Sequence, residues 1–416
     1  MNCCGCECNN AAAETPKPKI LAVIFDLDGT LLDTEQATKG VFEEFLARHG
    51  KVLDTEREEK KRLGMTLKDS AASVVEDYHL PFTPDQFVQQ IIPMYQEKWM
   101  YAKALPGANR LIKHFHDHGV PIALASNSLR EYIDAKISHH RGWKELFSVI
   151  LGSDQVKAGK PSPYLFEEAA KQMGVDAVHC LVIEDSLVGV KAANAAGMEV
   201  VAIPSRGEAA GSSSLADTVL HSLLEFQPEH WGLPPFEDWV DKALPIEPIY
   251  FSGLYVNGFV CEVTGPNPGQ APVETAKLEY VHISGDGRSA LPDQVWGVFF
   301  GWAVAVADMQ KTYRVVVGIG LDRNNSPDKN IQLHVVDGNN CCISNQQMKL
   351  LLVGYIRESY TKEVSSMDAE TLEECKSIAS ASLDLPIFSH HGCVPLYPPQ
   401  PFSVEDMIAS DEIERC

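Results

Sequence analysis

Short apolar runs alternate with amphipathic stretches throughout the first half of the chain. Five runs have the length of buried strands and end at Gly, Pro or polar residues: 20–25, 121–125, 148–151, 180–183 and 200–203. The stretches between them have helical spacing. Strands that alternate with helices favour a parallel sheet that is covered by helices on both faces. The pattern therefore predicts an α/β fold, a Rossmann-like doubly wound parallel sheet, over residues 19–226.

The region between the first two predicted strands has a different pattern. Residues 35–104 are charged and helix-forming, and they contain no strong strand run. Apolar residues recur at helical spacing over 36–49 and 67–78. We predict that residues 35–104 form a helical cap inserted into the sheet domain.

The second half of the chain changes to β-branched and aromatic runs separated by Gly, Asn and Asp, as in 313–318, 331–336 and 348–356. This pattern predicts a small antiparallel β-barrel domain over residues 248–385. The remaining segments are predicted to be a flexible leader at 1–18, a packed linker rich in Pro at 227–247, and a loosely attached tail at 386–416.

Composition limits the possible partners and the compartment. The 416 residues are 45% apolar, which suffices for two or three domains with buried cores. A net charge of −22 argues against nucleic acid and against anionic membrane surfaces as partners. No apolar run reaches the length of a membrane span. The eleven Cys lack the spacing of a disulfide framework, so a cytoplasmic location is expected.

Four of these cysteines lie together near the start of the chain, at Cys3, Cys4, Cys6 and Cys8. Zinc sites usually combine two ligand pairs, and no second pair follows closely. We interpret the cluster as part of the flexible leader. Acylation or metal capture by these thiols remains an alternative.

Polar side chains follow the predicted strands of the sheet. In an open parallel sheet, ligands bind outside the carboxyl ends of the strands. The first strand is followed by Asp26-Leu-Asp28-Gly-Thr30 and the second by Ser126-Asn127; Lys160 follows the third, and Glu184-Asp185 the fourth. Carboxylates, a hydroxyl and an ammonium group are therefore predicted to converge on one edge.

Four carboxylates at one edge require a cation. Two carboxylates about 4 Å apart repel by roughly 4 kcal/mol at an effective dielectric constant near 20. Mg²⁺ is the hard cation that suits carboxylates together with substrate phosphate and water. The predicted metal ligands are Asp26, Asp28 (through its backbone carbonyl), Asp185 and Glu184.

These residue types support phosphoryl transfer through an aspartate. Asp26 can attack phosphorus to give an aspartyl-phosphate, and Asp28 can act as general acid and then as base. Ser126 and Lys160 can hold the phosphoryl group. Substrate contacts are predicted for Asn127, Thr30 and Arg357.

The four motifs resemble those of the haloacid-dehalogenase-like hydrolases: Asp-Leu-Asp-Gly-Thr-Leu-Leu-Asp at 26–33, Ser126, Lys160-Pro-Ser-Pro163 and Ile-Glu-Asp-Ser at 183–186. The cap position is similar to that of the subgroup whose helical cap closes over small soluble substrates. The resemblance covers residues 20–226. It implies a Mg²⁺-dependent phosphatase that acts on a small phosphorylated metabolite.

A second resemblance extends across the junction and the barrel. Residues 229–239 and 244–248 resemble the junction of the plant bifunctional FMN hydrolase/riboflavin kinase proteins, and 297–303, 318–320 and 353–357 continue the likeness. This resemblance implies that FMN is the substrate of the first half, with riboflavin and phosphate as products.

The barrel half departs from the flavokinase pattern at three places. The segment 258–269 lacks the basic residues of the family's phosphate loop, and Glu274-Thr-Ala-Lys277 replaces Pro-Thr-Ala-Asn. Gln332 stands two residues before His334, where the family has a catalytic Glu. Gln cannot accept a proton, and a general base contributes about 10²–10⁴-fold. We therefore predict a degenerate barrel that binds flavin or serves a structural role.

Several alternatives stay open at this point. The phosphatase could act on a sugar or polyol phosphate, or it could be a phosphomutase. The chain could also be an active bifunctional riboflavin kinase/FMN hydrolase, or carry its second half as a flavin-binding module without catalysis.

Overall fold

A computed structural model describes residues 19–54, 67–204, 211, 214–256, 259–261, 291–321, 329–337, 346–356 and 369–389. The predicted leader and most of the predicted tail lie outside the described residues. The same holds for Arg357 and for the segments 262–269 and 274–277, on which two of the three kinase departures rest.

The first half contains a parallel sheet of six strands in the order β3-β2-β1-β4-β5-β6. The strands are β1 (Ala22–Phe25), β2 (Ile122–Ala125), β3 (Val149–Leu151), β4 (Cys180–Glu184), β5 (Glu199–Ala202) and β6 (Thr218–Val219). The first five lie within two residues of the predicted runs. The sixth has two residues, too few to give a recognisable run.

Helices cover both faces of this sheet. The described α-helices of this half are α1 (Thr34–Ala37), α2 (Val41–Arg48), α3 (Leu67–Asp77), α4 (Pro84–Trp99), α5 (Ala108–Asp117), α6 (Arg130–Ile137), α7 (Trp143–Leu146), α8 (Tyr164–Met173) and α9 (Leu187–Ala195), of which α5 to α9 pack on the sheet. Phe25 of β1 packs with Phe115 of α5 on one face, and Ile24 packs with Phe166 of α8 on the other. Because both faces of β1 are buried, it reads as a continuous apolar run. The predicted doubly wound fold is confirmed.

Four helices, α1 to α4, lie between β1 and β2 and form the cap. Gly40, at φ +81°, separates α1 from α2 where the sequence predicted one helix over 36–49. Thr83 and Gln86 form a reciprocal cap at the start of α4. Phe45, Val74 and other apolar residues give the cap a core of its own.

The second half forms a closed antiparallel barrel in the order β10-β11-β8-β7-β12-β9. Its strands are β7 (Ala243–Val256), β8 (Phe259–Cys261), β9 (Gly297–Ala305), β10 (Asp308–Leu321), β11 (Lys329–Val335) and β12 (Gln346–Ile356). Alternate residues such as Phe299, Val317 and Leu350 form one core cluster. Those between them, such as Phe300, pack under α10 (Ala369–Leu383). The predicted barrel fold is confirmed.

The residues at which the two halves meet differ from the predicted domain boundaries. Strand β7 already begins at Ala243, within the predicted linker, and Leu224 of the predicted phosphatase half packs into the barrel core. Within the predicted tail, α11 (Pro386–Ser389) places Phe388 against Phe300 with ring centroids 5.2 Å apart. No helix among the described residues is long and apolar enough to cross a bilayer.

The Phe388 contact predicts that the start of the tail stabilises the barrel. Phe388 is fully buried, so we expect Phe388→Ala to lower the free energy of unfolding by about 3 kcal/mol through loss of burial and creation of a cavity. Denaturant unfolding measures this effect. Ile387→Ala is the matched control, because Ile387 is 54% exposed and its truncation should change stability by less than about 0.5 kcal/mol. Equal effects of the two substitutions would contradict the assigned packing.

Candidate active site

The loop after β1 carries the first carboxylate into a buried position at the edge of the sheet. The backbone N–H of Asp26 donates to Ile183 O over 3.0 Å, which continues the pairing of β1 with β4. Gly29 follows at φ +85°, in the left-handed region. A Cβ at this position would lie 2.2 Å from Asp185 Oδ2. Glycine is therefore required both by the backbone conformation and by the approach of Asp185.

A buried ammonium group joins two of the carboxylates. Lys160 Nζ lies 2.5 Å from Asp26 Oδ1 and 2.6 Å from Glu184 Oε1, and the lysine side chain is only 2% exposed. The other oxygen of Glu184 accepts hydrogen bonds from Ser186 N–H (2.7 Å) and from Ser186 Oγ (2.9 Å). Glu184 is thus a fixed anion that anchors Lys160 beside Asp26.

Three carboxylates lie close enough to share a metal ion. Oxygen atoms of Asp26, Glu184 and Asp185 all lie within 4.8 Å of one another. Thr30 Oγ1 donates to Asp185 Oδ1 over 3.2 Å and so fixes the third carboxylate. The donors are all hard oxygens, which fits a divalent cation such as Mg²⁺ or Ca²⁺ better than a soft metal.

The pKa values reflect this crowding. Burial, together with the charges of Glu184 and Asp28, raises the pKa of Asp26 to about 7, although Lys160 opposes the shift. Burial and the neighbouring anions Glu184 and Asp26 hold the pKa of Asp185 well above its usual range. Lys160 experiences the opposite influence: burial would lower its pKa, but Asp26 and Glu184 raise it above its ordinary value. The cluster holds more carboxylate than one lysine can neutralise, so the donor set fits an additional cation.

The second aspartate of the loop has a different environment. Both oxygens of Asp28 accept from Lys136 Nζ, at 2.7 and 2.8 Å, and Oδ2 also accepts from Ser128 Oγ (2.9 Å) and Ser126 Oγ (3.4 Å). Burial alone would raise the pKa of Asp28, but Lys136 and the hydroxyl donors hold it below its usual value. The Asp28 side chain keeps 29% exposure, against 8% for Asp26. Asp28 therefore lies nearer to solvent than Asp26 does.

Lys136 and Ser128 are site residues that sequence reasoning missed. Lys136 lies on α6 between Ile133 and Ile137, on the buried face of the helix, and is itself 6% exposed. The sequence did contain a signal for Lys136, because it is a charged residue on an otherwise apolar face of a predicted helix. Lys136 Nζ also lies 5.2 Å from the ring of Trp99, at the end of the cap helix α4. It therefore connects the cap with Asp28.

The remaining predicted site residues take different places. Asn127 Oδ1 accepts from the Lys160 backbone N–H (2.8 Å), and its Nδ2 donates to Lys160 O (3.2 Å), so Asn127 holds the segment that carries Lys160. Thr30 is buried against Asp185. Arg357 lies outside the described residues. Substrate contacts by these three residues remain predictions.

Comparison with known proteins identifies the class that this fold and site define. A family model described as haloacid dehalogenase-like hydrolase matches residues 23–203, a range that includes all four predicted motifs. The chain belongs to the haloacid dehalogenase-like hydrolases, as its motifs indicated, and it is a phosphoric monoester hydrolase.

Three curated relatives illustrate the range within this class. The chain is 40% identical to the bifunctional riboflavin kinase/FMN phosphatase of Arabidopsis thaliana, over 88% of this chain and 94% of the relative. It is 39% identical to (DL)-glycerol-3-phosphatase 2 of the same plant, over 55% of this chain and 98% of the relative. It is 38% identical to a probable pseudouridine-5'-phosphatase of Drosophila melanogaster, over 53% and 97%. The predicted likeness to the bifunctional flavin proteins is thereby confirmed.

The contacts of Lys136 predict that it contributes to turnover. Lys136→Met removes the ammonium that holds both oxygens of Asp28, and a hydrogen bond to a charged group contributes about 1.5–3 kcal/mol. We expect kcat for p-nitrophenyl phosphate to fall by about 10- to 100-fold, while circular dichroism shows an unchanged fold. Lys144→Met, at a position that is 64% exposed, is the control and should retain full activity. Wild-type kcat in Lys136→Met would show that the pair is not needed for turnover.

Proposed function

We propose that this protein hydrolyses FMN to riboflavin and phosphate at the carboxylate cluster of its first half. The observation that carries the proposal is the buried Asp26 carboxylate, held 2.5 Å from Lys160 Nζ at the end of β1, with Asp28 two residues further on. The choice of FMN is supported by the relative that shares 40% identity over nearly its whole length and is named an FMN phosphatase.

In the first step, an oxygen of Asp26 attacks phosphorus, a P–O bond to Asp26 forms, and the bond to the ester oxygen breaks. Asp26 must be ionised for this attack, and the adjacent ammonium of Lys160 favours its charged form. Lys160 and the hydroxyl of Ser126 are placed to bind oxygens of the transferring group. The leaving ribityl oxygen needs a proton as the bond breaks.

Asp28 supplies that proton and later removes one from water. Its side chain is more exposed to solvent than that of Asp26. Because Lys136 holds the pKa of Asp28 below its ordinary value, the carboxylate takes up a proton as the negatively charged ester binds, and it then gives this proton to the ribityl oxygen. The resulting carboxylate accepts a proton from the water that attacks phosphorus, while the P–O bond to Asp26 breaks and phosphate is released. Lys136 and Ser128 hold this carboxylate in place throughout.

We propose that Mg²⁺ is the cation at this cluster. Asp26 and Asp185 would hold it together with the backbone carbonyl of Asp28, while Glu184 completes the cluster and anchors Lys160. A bound Mg²⁺ would supply positive charge that reduces the repulsion between the carboxylate nucleophile and the phosphoryl oxygens. The protein residues provide the attacking group, the proton and the orientation.

For the barrel half we propose flavin binding or a structural role without kinase chemistry. Gln332 lies on β11, buried and paired with Phe259 of β8, at the position where the resemblance implies a catalytic Glu. An amide at this position cannot accept the riboflavin hydroxyl proton. We also propose a phosphatase domain over 19–226, a barrel domain over 248–385 that further takes in β7 from Ala243, and a cytoplasmic location. The buried thiol of Cys180, which forms no disulfide among the described residues, is compatible with reducing conditions.

A polyol phosphate is the second candidate substrate. Its support is the likeness of 39% to a glycerol-3-phosphatase, of which this chain covers 98%. A phosphomutase would share the aspartyl-phosphate but would return the phosphoryl group to the sugar. Product analysis distinguishes the three possibilities.

A substrate panel tests the proposed activity. We expect wild-type protein to release phosphate from FMN with a higher kcat/KM than from glycerol 3-phosphate or glucose 1-phosphate, without isomerised products. Asp26→Asn should abolish release from every ester, because an amide is a poor nucleophile. Asp117→Asn, at an exposed position on α5, is the matched control and should be fully active. Preference for a polyol ester would refute FMN as substrate, and turnover by Asp26→Asn would refute the nucleophile.

A parallel reaction tests the barrel half for kinase activity. Incubation of the protein with riboflavin and Mg·ATP should give no FMN.

The cation requirement is tested by chelation. We expect EDTA to abolish phosphate release and added Mg²⁺ to restore it, because burial and neighbouring carboxylates raise the pKa values of Asp26 and Asp185, and a bound cation would favour their charged forms. Calorimetric titration of the metal-free protein with Mg²⁺ should show one binding site that Asp185→Asn weakens. Undiminished hydrolysis in EDTA would exclude the proposed cofactor role.

A further inference from the structure

The barrel half contributes one side chain to the nucleophile loop. Gln294 lies in the segment that leads into β9 and is 6% exposed, and its Nε2 donates to the backbone carbonyl of Gly29 over 2.9 Å. Gly29 directly follows Asp28 and lies in the same loop as Asp26. The donor and the acceptor are 265 residues apart in the chain.

The Gly29 carbonyl is a sensitive point of this loop. The N–H of Gly29 donates to Leu32 O over 2.9 Å. The carbonyl of the same residue accepts from Gln294, which therefore orients it. The carbonyl belongs to the peptide that continues to Thr30, whose hydroxyl holds Asp185. The Cα of Gly29 lies directly against the Asp185 carboxylate. A rotation of this peptide would therefore shift both the loop and a predicted metal ligand.

The two halves pack against each other near this hydrogen bond. Leu223 belongs to the core of the sheet domain, while Leu224, the next residue, belongs to the core of the barrel. The ring of Trp296, two residues after Gln294, stacks on His221 at 4.3 Å between centroids and 12° between planes.

The connecting segment adds further contacts between the halves. Arg110 of α5 binds both oxygens of Asp238 at 2.6 Å, and its guanidinium carbon lies 3.4 Å from the centroid of the Phe236 ring. These contacts hold the connecting segment, which leads into β7, against α5.

From these contacts we infer that Gln294 is a positioning residue of the phosphatase, supplied by the barrel half through the Gly29 carbonyl. The barrel then has a role in phosphate-ester hydrolysis that does not depend on kinase chemistry. The family match ends at residue 203, so Gln294 lies outside the shared part of the fold. The inference rests on the proposed function only in its assignment of Asp26 and Asp185 to the reaction.

The test compares Gln294→Ala and Gln294→Glu in the full-length protein, with p-nitrophenyl phosphate and FMN as separate substrates. Loss of one net hydrogen bond should lower kcat by about three- to tenfold, with KM and the melting temperature near wild-type values. Gln294→Glu keeps the size of the side chain but places an acceptor against the Gly29 carbonyl, so its kcat should be at least as low. Calorimetry without substrate should show weaker Mg²⁺ binding in both variants.

The control is Trp296→Leu, which removes the stacking on His221 but leaves the amide donor in place. This substitution should lower the melting temperature but leave kcat near its wild-type value. Unchanged kcat in both Gln294 variants, or an equal loss of kcat in Trp296→Leu, would overturn the inference. If wild-type protein hydrolyses p-nitrophenyl phosphate but not FMN, the FMN proposal fails while the comparison of variants still decides the role of Gln294.

Discussion

The burial of Lys160 between Asp26 and Glu184 is the interaction on which the site depends. An ammonium that is only 2% exposed needs anionic partners, and the ends of β1 and β4 supply one each. Parallel pairing of these two strands brings Asp26 and Glu184 to the same edge. Asp185 adds a third carboxylate beside this pair, and the proposed Mg²⁺ would offset the negative charge that Lys160 leaves. Strand pairing, charge balance and the chemistry of phosphate-ester hydrolysis are therefore linked through one buried lysine.

Two aspartates that are two residues apart in the loop have opposite pKa shifts. Burial and neighbouring anions raise the pKa of Asp26, whereas at Asp28 burial is outweighed by Lys136 and the hydroxyl donors together, which lower the pKa. The difference arises because successive polar side chains of the loop face different elements: Asp26 faces β4 and Lys160, while Asp28 faces α6. Proximity of α6 to Trp99 at the end of α4 also brings the cap close to Asp28. The proposed nucleophile and the proposed acid thus lie in separate environments although one short loop carries both.

The contact between Gln294 and Gly29 gives the barrel a physical relation to the phosphatase. The two halves share more than a connecting segment, since adjacent residues Leu223 and Leu224 enter the two different cores. A barrel whose Gln332 cannot serve as a base would still contribute to phosphate-ester hydrolysis if it held the nucleophile loop.

The sequence by itself determined the order of strands and helices, the two fold types and the residues Asp26, Asp28, Ser126, Lys160, Glu184 and Asp185. Local periodicity encodes the elements, and the rule that ligands bind at the carboxyl ends of parallel strands locates the motifs. Only the tertiary structure decided that Lys136 and Ser128 hold Asp28, that Asn127 supports the Lys160 backbone, and that Gln294 reaches Gly29. Each of these contacts joins residues that lie far apart in the chain or depends on the rotation of a helix about its axis. Side-chain direction and distant contacts follow from the packing of whole elements, which no local pattern of residues specifies.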